Sequence, residues 1–178
     1  SGATLLFPTT TLGKEYYSIN FEQHYNEGSS NSFFYAVAVD TGTTTIEVVP
    51  SANTQSMIAG KTYTFNLTQG QVFNALGIIS GNDGVDVTGS KIKSISSGTA
   101  GCKRIAVFSG AGKLNIHCPL STNGNSADNY MVQAFPKNAW GKYYLTVPTS
   151  QMPANFFRIA VLDPTTIVKV NGTVLTGL

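Results

Sequence analysis

Residues 33–40, FFYAVAVD, and residues 156–163, FFRIAVLD, are two copies of one apolar pattern that ends in aspartate. Each copy is followed by a Thr-Thr-Ile run, TTIEV at residues 44–48 and TTIVKV at residues 165–170. In the first copy Tyr35, Val37 and Val39 recur at every second position, and Ile46 and Val48 do so in the run after it. A period of two is typical of strands that bury one face. The pattern therefore predicts β-strands, and its recurrence predicts that one structural unit is used twice.

A third motif precedes each copy in the same order. LGKEYY occupies residues 12–17 and WGKYY occupies residues 140–144. The chain is accordingly predicted to be a single β-rich module, residues 1–178, with related units at about 12–50 and 140–178 around a central region, 60–136. We also expect it to be a fragment of a longer protein with neighbouring domains.

The remaining sequence favours the same fold class. The chain has 18 glycines and 7 prolines, its threonines are frequent, and helical spacing of apolar residues is hard to find. Short strands with closely spaced turns are typical of sandwiches. The prediction is an all-β, antiparallel β-sandwich with an internal structural repeat. Two β subdomains sharing an interface, or propeller-like units, remain the alternatives.

Charge and hydropathy exclude several partners. Eleven Lys and Arg stand against nine Asp and Glu, and charged residues make up only 11% of the chain. Nucleic acid is not an expected partner, because binding to phosphates needs a clustered cationic face. No apolar stretch approaches the roughly 20 residues that span a bilayer, so direct membrane insertion is not expected either.

Two turn signals carry further predictions. Asn171-Gly172 lies between two short apolar runs and predicts a type I′ hairpin. Glycines at 110 and 112 predict a second hairpin, centred on Gly110. That hairpin would place Cys102 opposite Cys118, where a cross-strand disulfide is geometrically reasonable. The bridge is favoured, and two buried free thiols are the alternative.

The middle of the chain resembles a known family. The stretches that carry the resemblance are KIKSISSGTAGCKRIAVFSG at residues 91–110, DNYMVQAFP at 128–136, WGK at 140–142 and Val147-Pro148. Together they are similar to the N-terminal domain of IgGFc-binding proteins. The resemblance covers most of the chain, and the ordered set of motifs is fairly specific.

The resemblance implies an extracellular, secreted or cell-surface β-rich module that works in adhesion or protein binding, here in a bacterial protein. In the family pattern a second cysteine comes just before the Asp of the middle motif, and Ala127 stands there in this chain. This departure leaves Cys102 as the partner for Cys118. The resemblance does not imply an antibody ligand.

Candidate ligand-binding residues lie where the two units differ and where aromatic rings gather. The polar and aromatic loop at residues 22–31 contains Gln23, His24 and Tyr25, and the second unit contains Trp140 and Tyr143. Aromatic faces stack on sugars and anchor protein interfaces. Since strand neighbours point to opposite faces, one Tyr of each doublet is expected in the core and its partner at the surface. The expected partner is an extracellular protein or glycan.

No enzymatic signature has the required spacing. Ser109 lacks the preceding glycine of a nucleophile elbow, and Gly112-Lys113 lacks the rest of a phosphate loop. The expectation is a non-catalytic adhesion or recognition module; a structural spacer is the alternative, and a glycan-active enzyme comes third. No cofactor is expected except calcium, whose candidate ligands are Asp83, Asp86 and Asp128. Ordinary Asx turns are the favoured reading of these aspartates.

Overall fold

The computed structural model describes residues 3–23, 30–81, 83–96, 101–114, 127–151 and 155–176. Within these ranges the chain forms twelve strands and two short 3-10 turns, Thr9–Thr11 and Lys137–Ala139, and no α-helix. The strands are β1 (Glu15–Tyr17), β2 (Ser32–Ala38), β3 (Thr43–Val49), β4 (Tyr63–Thr68), β5 (Val72–Leu76), β6 (Ile79–Ser80), β7 (Asp83–Gly84), β8 (Lys91–Ile95), β9 (Ile105–Leu114), β10 (Asp128–Gln133), β11 (Lys169–Val170) and β12 (Thr173–Val174).

Eight of these strands build two antiparallel four-stranded sheets. The first sheet has the order β1-β8-β3-β4 and the second has the order β10-β9-β2-β5. Side chains from both sheets meet in one buried cluster, so the sheets pack face to face as in other sandwiches. The predicted all-β, antiparallel sandwich is confirmed.

The core is built from every second residue of the paired strands. Along β2 the residues are alternately buried and half-buried, because successive strand side chains point to opposite faces. Phe34 of β2 and Ile46 of β3 are fully buried, one from each sheet. Phe65 of the first sheet and Phe73 of the second bring their ring centroids to 4.3 Å across the interface. In β3 the alternating apolar residues Ile46 and Val48 are the buried ones. Along β2 and just after it, the alternating set Tyr35, Val37 and Val39 is only half-buried, on the outer face, so the sequence pattern predicts the wrong inner face there; both faces of β2 are apolar, and packing against the other sheet decides which one is inside.

The second sheet is also covered on its outer face. Leu12, Ala106 and Phe108 form a smaller buried cluster there, against which Phe7 packs. The Phe7 N–H donates to the side-chain Oε1 of Gln133 at 2.7 Å. The segment before β1 thus lies across the outside of this sheet and is hydrogen-bonded to its edge strand β10.

The hairpin predicted at Gly110 is wrong. Residues 105–114 form one continuous ten-residue strand, β9, which pairs with β2 on one side and β10 on the other. A Cβ at Gly110 would lie 2.4 Å from Cζ of Phe33 and 2.4 Å from the carbonyl oxygen of Tyr130. The glycine is required because neighbouring chains approach it closely, which is the other common reason for a glycine in a strand.

The Cys102–Cys118 disulfide is predicted from a hairpin at Gly110, and the structure has a continuous strand there instead. Cys102 is half-buried and precedes β9, while Cys118 lies outside the described residues. A ten-residue strand separates the two segments and spans about 30 Å. The disulfide therefore stays a prediction, supported now only by the presence of two cysteines.

The two sequence copies have different surroundings. Residues 33–40 include most of β2, the second strand from one edge of its sheet, whereas residues 156–163 have no strand pairing in the structure. The predicted hairpin at Asn171-Gly172 is confirmed: β11 and β12 pair across it, and both residues have positive φ, 51° and 83°. The use of one structural unit twice stays a prediction.

Candidate functional site

The first tyrosine doublet divides between core and surface as predicted. Tyr16 is fully buried in β1, and its hydroxyl donates to the carbonyl oxygen of Ile105 and accepts from the Gly13 N–H, both at 2.8 Å. Tyr17 is half-buried. The same prediction is wrong for the second doublet, because Tyr143 and Tyr144 are 84% and 68% exposed. Among the residues that the structure describes, no paired sheet covers either face of that segment.

Half-exposed aromatic rings gather beside strand β1, at one edge of the first sheet. The rings of Tyr17 and Trp140 are tilted at 55° with centroids 5.7 Å apart. The Trp140 indole Nε1–H donates to the carbonyl oxygen of Phe135 at 3.2 Å. Phe135 in turn packs on Phe7 with a centroid distance of 4.6 Å. We call these four residues, Phe7, Tyr17, Phe135 and Trp140, the aromatic edge.

Three charges frame the aromatic edge. Glu15 of β1 accepts from Lys91 at 3.1 Å and from Lys137 at 3.3 Å. The Lys91 ammonium also lies 5.9 Å from the Tyr17 ring centroid, within cation–π range. Burial alone would raise the pKa of Glu15, but the hydrogen bonds and charges of Lys91 and Lys137 outweigh it and lower the pKa below its usual value. Glu15 is therefore an anion at neutral pH.

Of the predicted ligand-binding residues, the structure describes Gln23, Trp140 and Tyr143, and these three do not form one cluster. Trp140 belongs to the aromatic edge, and Tyr143 follows it three residues later with its ring in solvent. Gln23 is fully buried; its carbonyl accepts from the Gly84 N–H at 3.0 Å. Gln23 therefore holds the base of the loop rather than offering a surface. His24 and Tyr25 lie outside the described residues.

The loop at residues 22–31 leaves and rejoins the sandwich at buried asparagine and glutamine positions. Gln23 marks one end. At the other end, Asn31 donates its amide to the carbonyl of Gly77 at 2.7 Å, and its own carbonyl accepts from the Gly112 N–H at 3.0 Å. Both ends of the loop are thus attached to the rigid part of the structure.

The calcium candidates are in different settings. Asp86 accepts from the Thr88 N–H at 2.8 Å and from the Thr88 hydroxyl at 2.6 Å, the local pattern of an Asx turn. Asp83 lies in β7, and Asp128 begins β10, where it accepts from the Asn129 N–H at 2.8 Å. In the described part of the chain no three His, Cys, Asp or Glu side chains gather closely enough to hold a metal ion. Calcium binding stays a prediction.

A cluster around Arg158 was missed by sequence reasoning. Its guanidinium forms an ion pair with Asp86, donates to the carbonyl of Asn20 and donates to the Thr88 hydroxyl at 2.9 Å. It also lies over the Phe21 ring, 4.2 Å from the centroid. The available signal was that Arg158 replaces Tyr35 of the first copy, and so places a cation in an otherwise apolar run.

A comparison with protein-family models decides the family. Residues 2–177 match the model described as IgGFc binding protein, which is nearly the whole chain. This chain belongs to the IgGFc-binding protein family. The resemblance drawn from residues 91–148 is confirmed, and the match to the family model covers residues 2–177.

No match to this IgGFc-binding family member was found among the curated proteins or the solved structures. A search of the described residues finds no helix suited to crossing a bilayer. Family membership, the sandwich and the aromatic edge are therefore the observations on which a function can be based.

Proposed function

We propose that this chain is a non-catalytic extracellular module that binds a protein partner, with the aromatic edge and Tyr143 as the contact surface. It would act in adhesion, as part of a secreted or surface-anchored bacterial protein. Membership of the IgGFc-binding family supports a protein partner and an extracellular location. A glycan partner is the narrower alternative, because aromatic rings also stack on sugars.

One observation carries the choice of surface. The aromatic edge combines packed, half-exposed rings with a charged rim formed by Glu15, Lys91 and Lys137. Binding energy at protein interfaces concentrates in aromatic anchors that are surrounded by polar groups. The rings are already held by each other and by the Trp140–Phe135 hydrogen bond, so little conformational entropy would be lost on binding.

The test is a binding screen followed by matched variants. The whole chain, immobilised, is exposed to extracellular-matrix proteins, antibody Fc and a glycan array, with and without calcium. For each saturable hit, we expect Trp140→Ala and Tyr143→Ala to weaken binding by about tenfold or more. Ile58→Ala is the matched control, because Ile58 is also an exposed apolar residue but precedes β4, at the opposite edge of the same sheet.

The only tryptophan of the chain makes the same surface visible by fluorescence. A ligand that covers the aromatic edge should shift the Trp140 emission to shorter wavelength, because the indole becomes less exposed to water. A hit whose affinity is unchanged in both aromatic variants, with no change in emission, would place the contact elsewhere. The loop at residues 22–31, including His24 and Tyr25, would then be the next surface to vary.

A structural spacer is the second candidate, and the Arg158 cluster favours it. Arg158 attaches the second sequence copy to the sandwich through Asp86, Thr88 and Asn20, which would stiffen a multidomain chain. If the chain bound none of the proteins or glycans in the screen, the result would support the spacer. Hydrolytic chemistry is not proposed, since the sequence has no enzymatic signature with the required spacing.

A further inference from the structure

Strand β2 shows the structure that the repeated sequence adopts when neighbouring strands pair with it. β2 pairs with β9 over seven residue pairs and with β5 over five. Its residues Phe34, Ala36 and Ala38 point into the core and are fully buried. The Phe-Phe-x-x-Ala-Val-x-Asp pattern therefore belongs to a strand with neighbours on both sides and an apolar layer on one face.

In the second copy the corresponding side chains are apolar but exposed to solvent. Phe157, Ile159 and Val161 take the places of Phe34, Ala36 and Ala38, and they are 56%, 52% and 40% exposed. Ile167, which matches the fully buried Ile46, is also exposed. Contiguous exposed apolar groups of this kind mark interaction surfaces in soluble proteins. Phe157, Ile159 and Val161 are spaced two residues apart, as on one face of a β-strand, so the expected partner is another β-strand.

Arg158 attaches the second copy to the sandwich. Arg158 corresponds to Tyr35, whose ring stacks on Phe108 at 4.7 Å on the outer face of the second sheet. Arg158 instead binds Asp86, Thr88 and the Asn20 carbonyl. The backbone of residues 156–162 carries no strand pairing, so it can pair with an added strand; the carbonyl of Asp163 already accepts from the Thr166 N–H at 2.9 Å.

We propose that residues 156–163 accept an antiparallel strand of the β9 type, contributed by a further unit of the same family. The β2–β9 register identifies the chemistry of that strand. Phe33 lies opposite Gly110, where a Cβ would meet the Phe33 ring at 2.4 Å. Phe156 therefore requires glycine opposite it, and apolar residues follow opposite Ile159 and Val161.

A second folded copy of this chain is the less suitable donor. Its own β9 is already paired on both sides, with β2 and β10, and releasing it would unfold the sandwich. A family unit whose β9-type strand has no β2-type strand of its own meets no such obstacle. Strand addition of this kind derives its affinity from main-chain hydrogen bonds and its specificity from alternate side chains.

The experiment uses the whole chain and a labelled peptide with the sequence of residues 103–114, KRIAVFSGAGKL. We expect saturable binding measured by fluorescence anisotropy. Binding should weaken at least about tenfold for a peptide with Gly110→Val, which removes the space for Phe156, and for the chain variant Ile159→Asp, which would bury a charge. Ile58→Asp is the matched control and should bind as the parent chain does, with both variants unfolding at the parent temperature.

Three results would overturn the proposal. The first is no binding of the parent peptide. The second is equal binding by Ile159→Asp, which would indicate exchange with β9 of the sandwich. The third is a dimer of the chain alone, detected by light scattering and abolished by Ile159→Asp, which would make a second copy the occupant.

Discussion

At the scale of single residues, Gly110 has the most demanding environment. It lies in the middle of β9, between Phe33 of β2 and the carbonyl of Tyr130 of β10, both 2.4 Å from the position of a Cβ. Backbone cannot move away as a flexible side-chain end can, so any larger residue must push the strands apart. Glycine permits both a turn and a close approach, so the sequence around Gly110 is also compatible with the turn that it predicts.

Gly110→Ala should lower the free energy of unfolding by about 1–3 kcal/mol, the usual cost of overpacking a tight core. Urea denaturation of the whole chain measures it. Gly101→Ala is the matched control, because nothing lies within 4 Å of the Cβ position there; its effect should stay within about 0.5 kcal/mol. Equal midpoints for the two variants would contradict the close approach at β9.

The Asp40–Arg104 pair makes stability depend on pH at the turn after β2. Arg104 donates from Nη2 to Oδ1 of Asp40 at 2.5 Å and from its backbone N–H to Oδ2 at 2.8 Å. These hydrogen bonds, with the Arg104 charge, lower the pKa of Asp40 in the folded state. A depressed carboxyl pKa contributes stability above the unfolded value of about 3.9 and loses it as the pH falls through the folded value.

In the parent chain the free energy of unfolding should decline as the pH is lowered from 6 toward 3. In Asp40→Asn this decline should therefore be less steep. Arg104→Gln should flatten it as well, because it removes the partner that lowers the pKa. Urea denaturation at a series of pH values measures both slopes. Variants that decline as steeply as the parent would show that Asp40 titrates alike in the folded and unfolded chain.

At the scale of elements, Arg158 attaches residues 156–163 to the sandwich by several polar contacts. Arg158 makes an ion pair, two hydrogen bonds and a cation–π contact with the region around Asn20 and Asp86. The residues around it are mostly exposed. The segment should therefore detach easily when this side chain is lost.

Arg158→Gln should increase the rate of chymotryptic cleavage after Phe156 and Phe157 by roughly twofold to fivefold, the population change expected for a partly exposed charged pair. Asp86→Asn should act in the same direction. Lys169→Gln, in the exposed strand β11, is the control and should cleave as the parent does. An unchanged rate in both Arg158 and Asp86 variants would assign the attachment to other contacts.

At the scale of the whole molecule, stability depends on the layer between the two sheets. Phe34 is fully buried at its centre and packs against Phe73, which meets Phe65 of the opposite sheet. Removing a buried phenylalanine ring loses its transfer free energy and leaves a cavity. The repeated sequence provides a matched comparison, since Phe157 occupies the same place in the second copy but is exposed.

Phe34→Ala should lower the free energy of unfolding by about 3–5 kcal/mol, whereas Phe157→Ala should change it by no more than about 0.5 kcal/mol. Thermal and urea unfolding of the two variants give the comparison directly. Similar losses for both would mean that the second copy is buried in solution. Family membership would stand, but residues 156–163 would no longer offer an open strand.

The sequence by itself determined the fold class and the hairpin at Asn171-Gly172, but not which face of β2 is buried. The fold class and the hairpin depend on local chemistry: side-chain alternation, and the tolerance of Asn and Gly for positive φ. It also indicated Trp140 as a surface aromatic and, through its ordered motifs, the family.

Only the tertiary structure decided the roles that depend on distant neighbours. Gly110 became a strand residue because β2 and β10 approach it, and Gln23 became buried because β7 packs against it. Phe34 and Phe157 have nearly the same local sequence, yet one is in the core and the other is in solvent. Burial is set by what the rest of the chain brings alongside, and the order of residues within one strand does not contain that information.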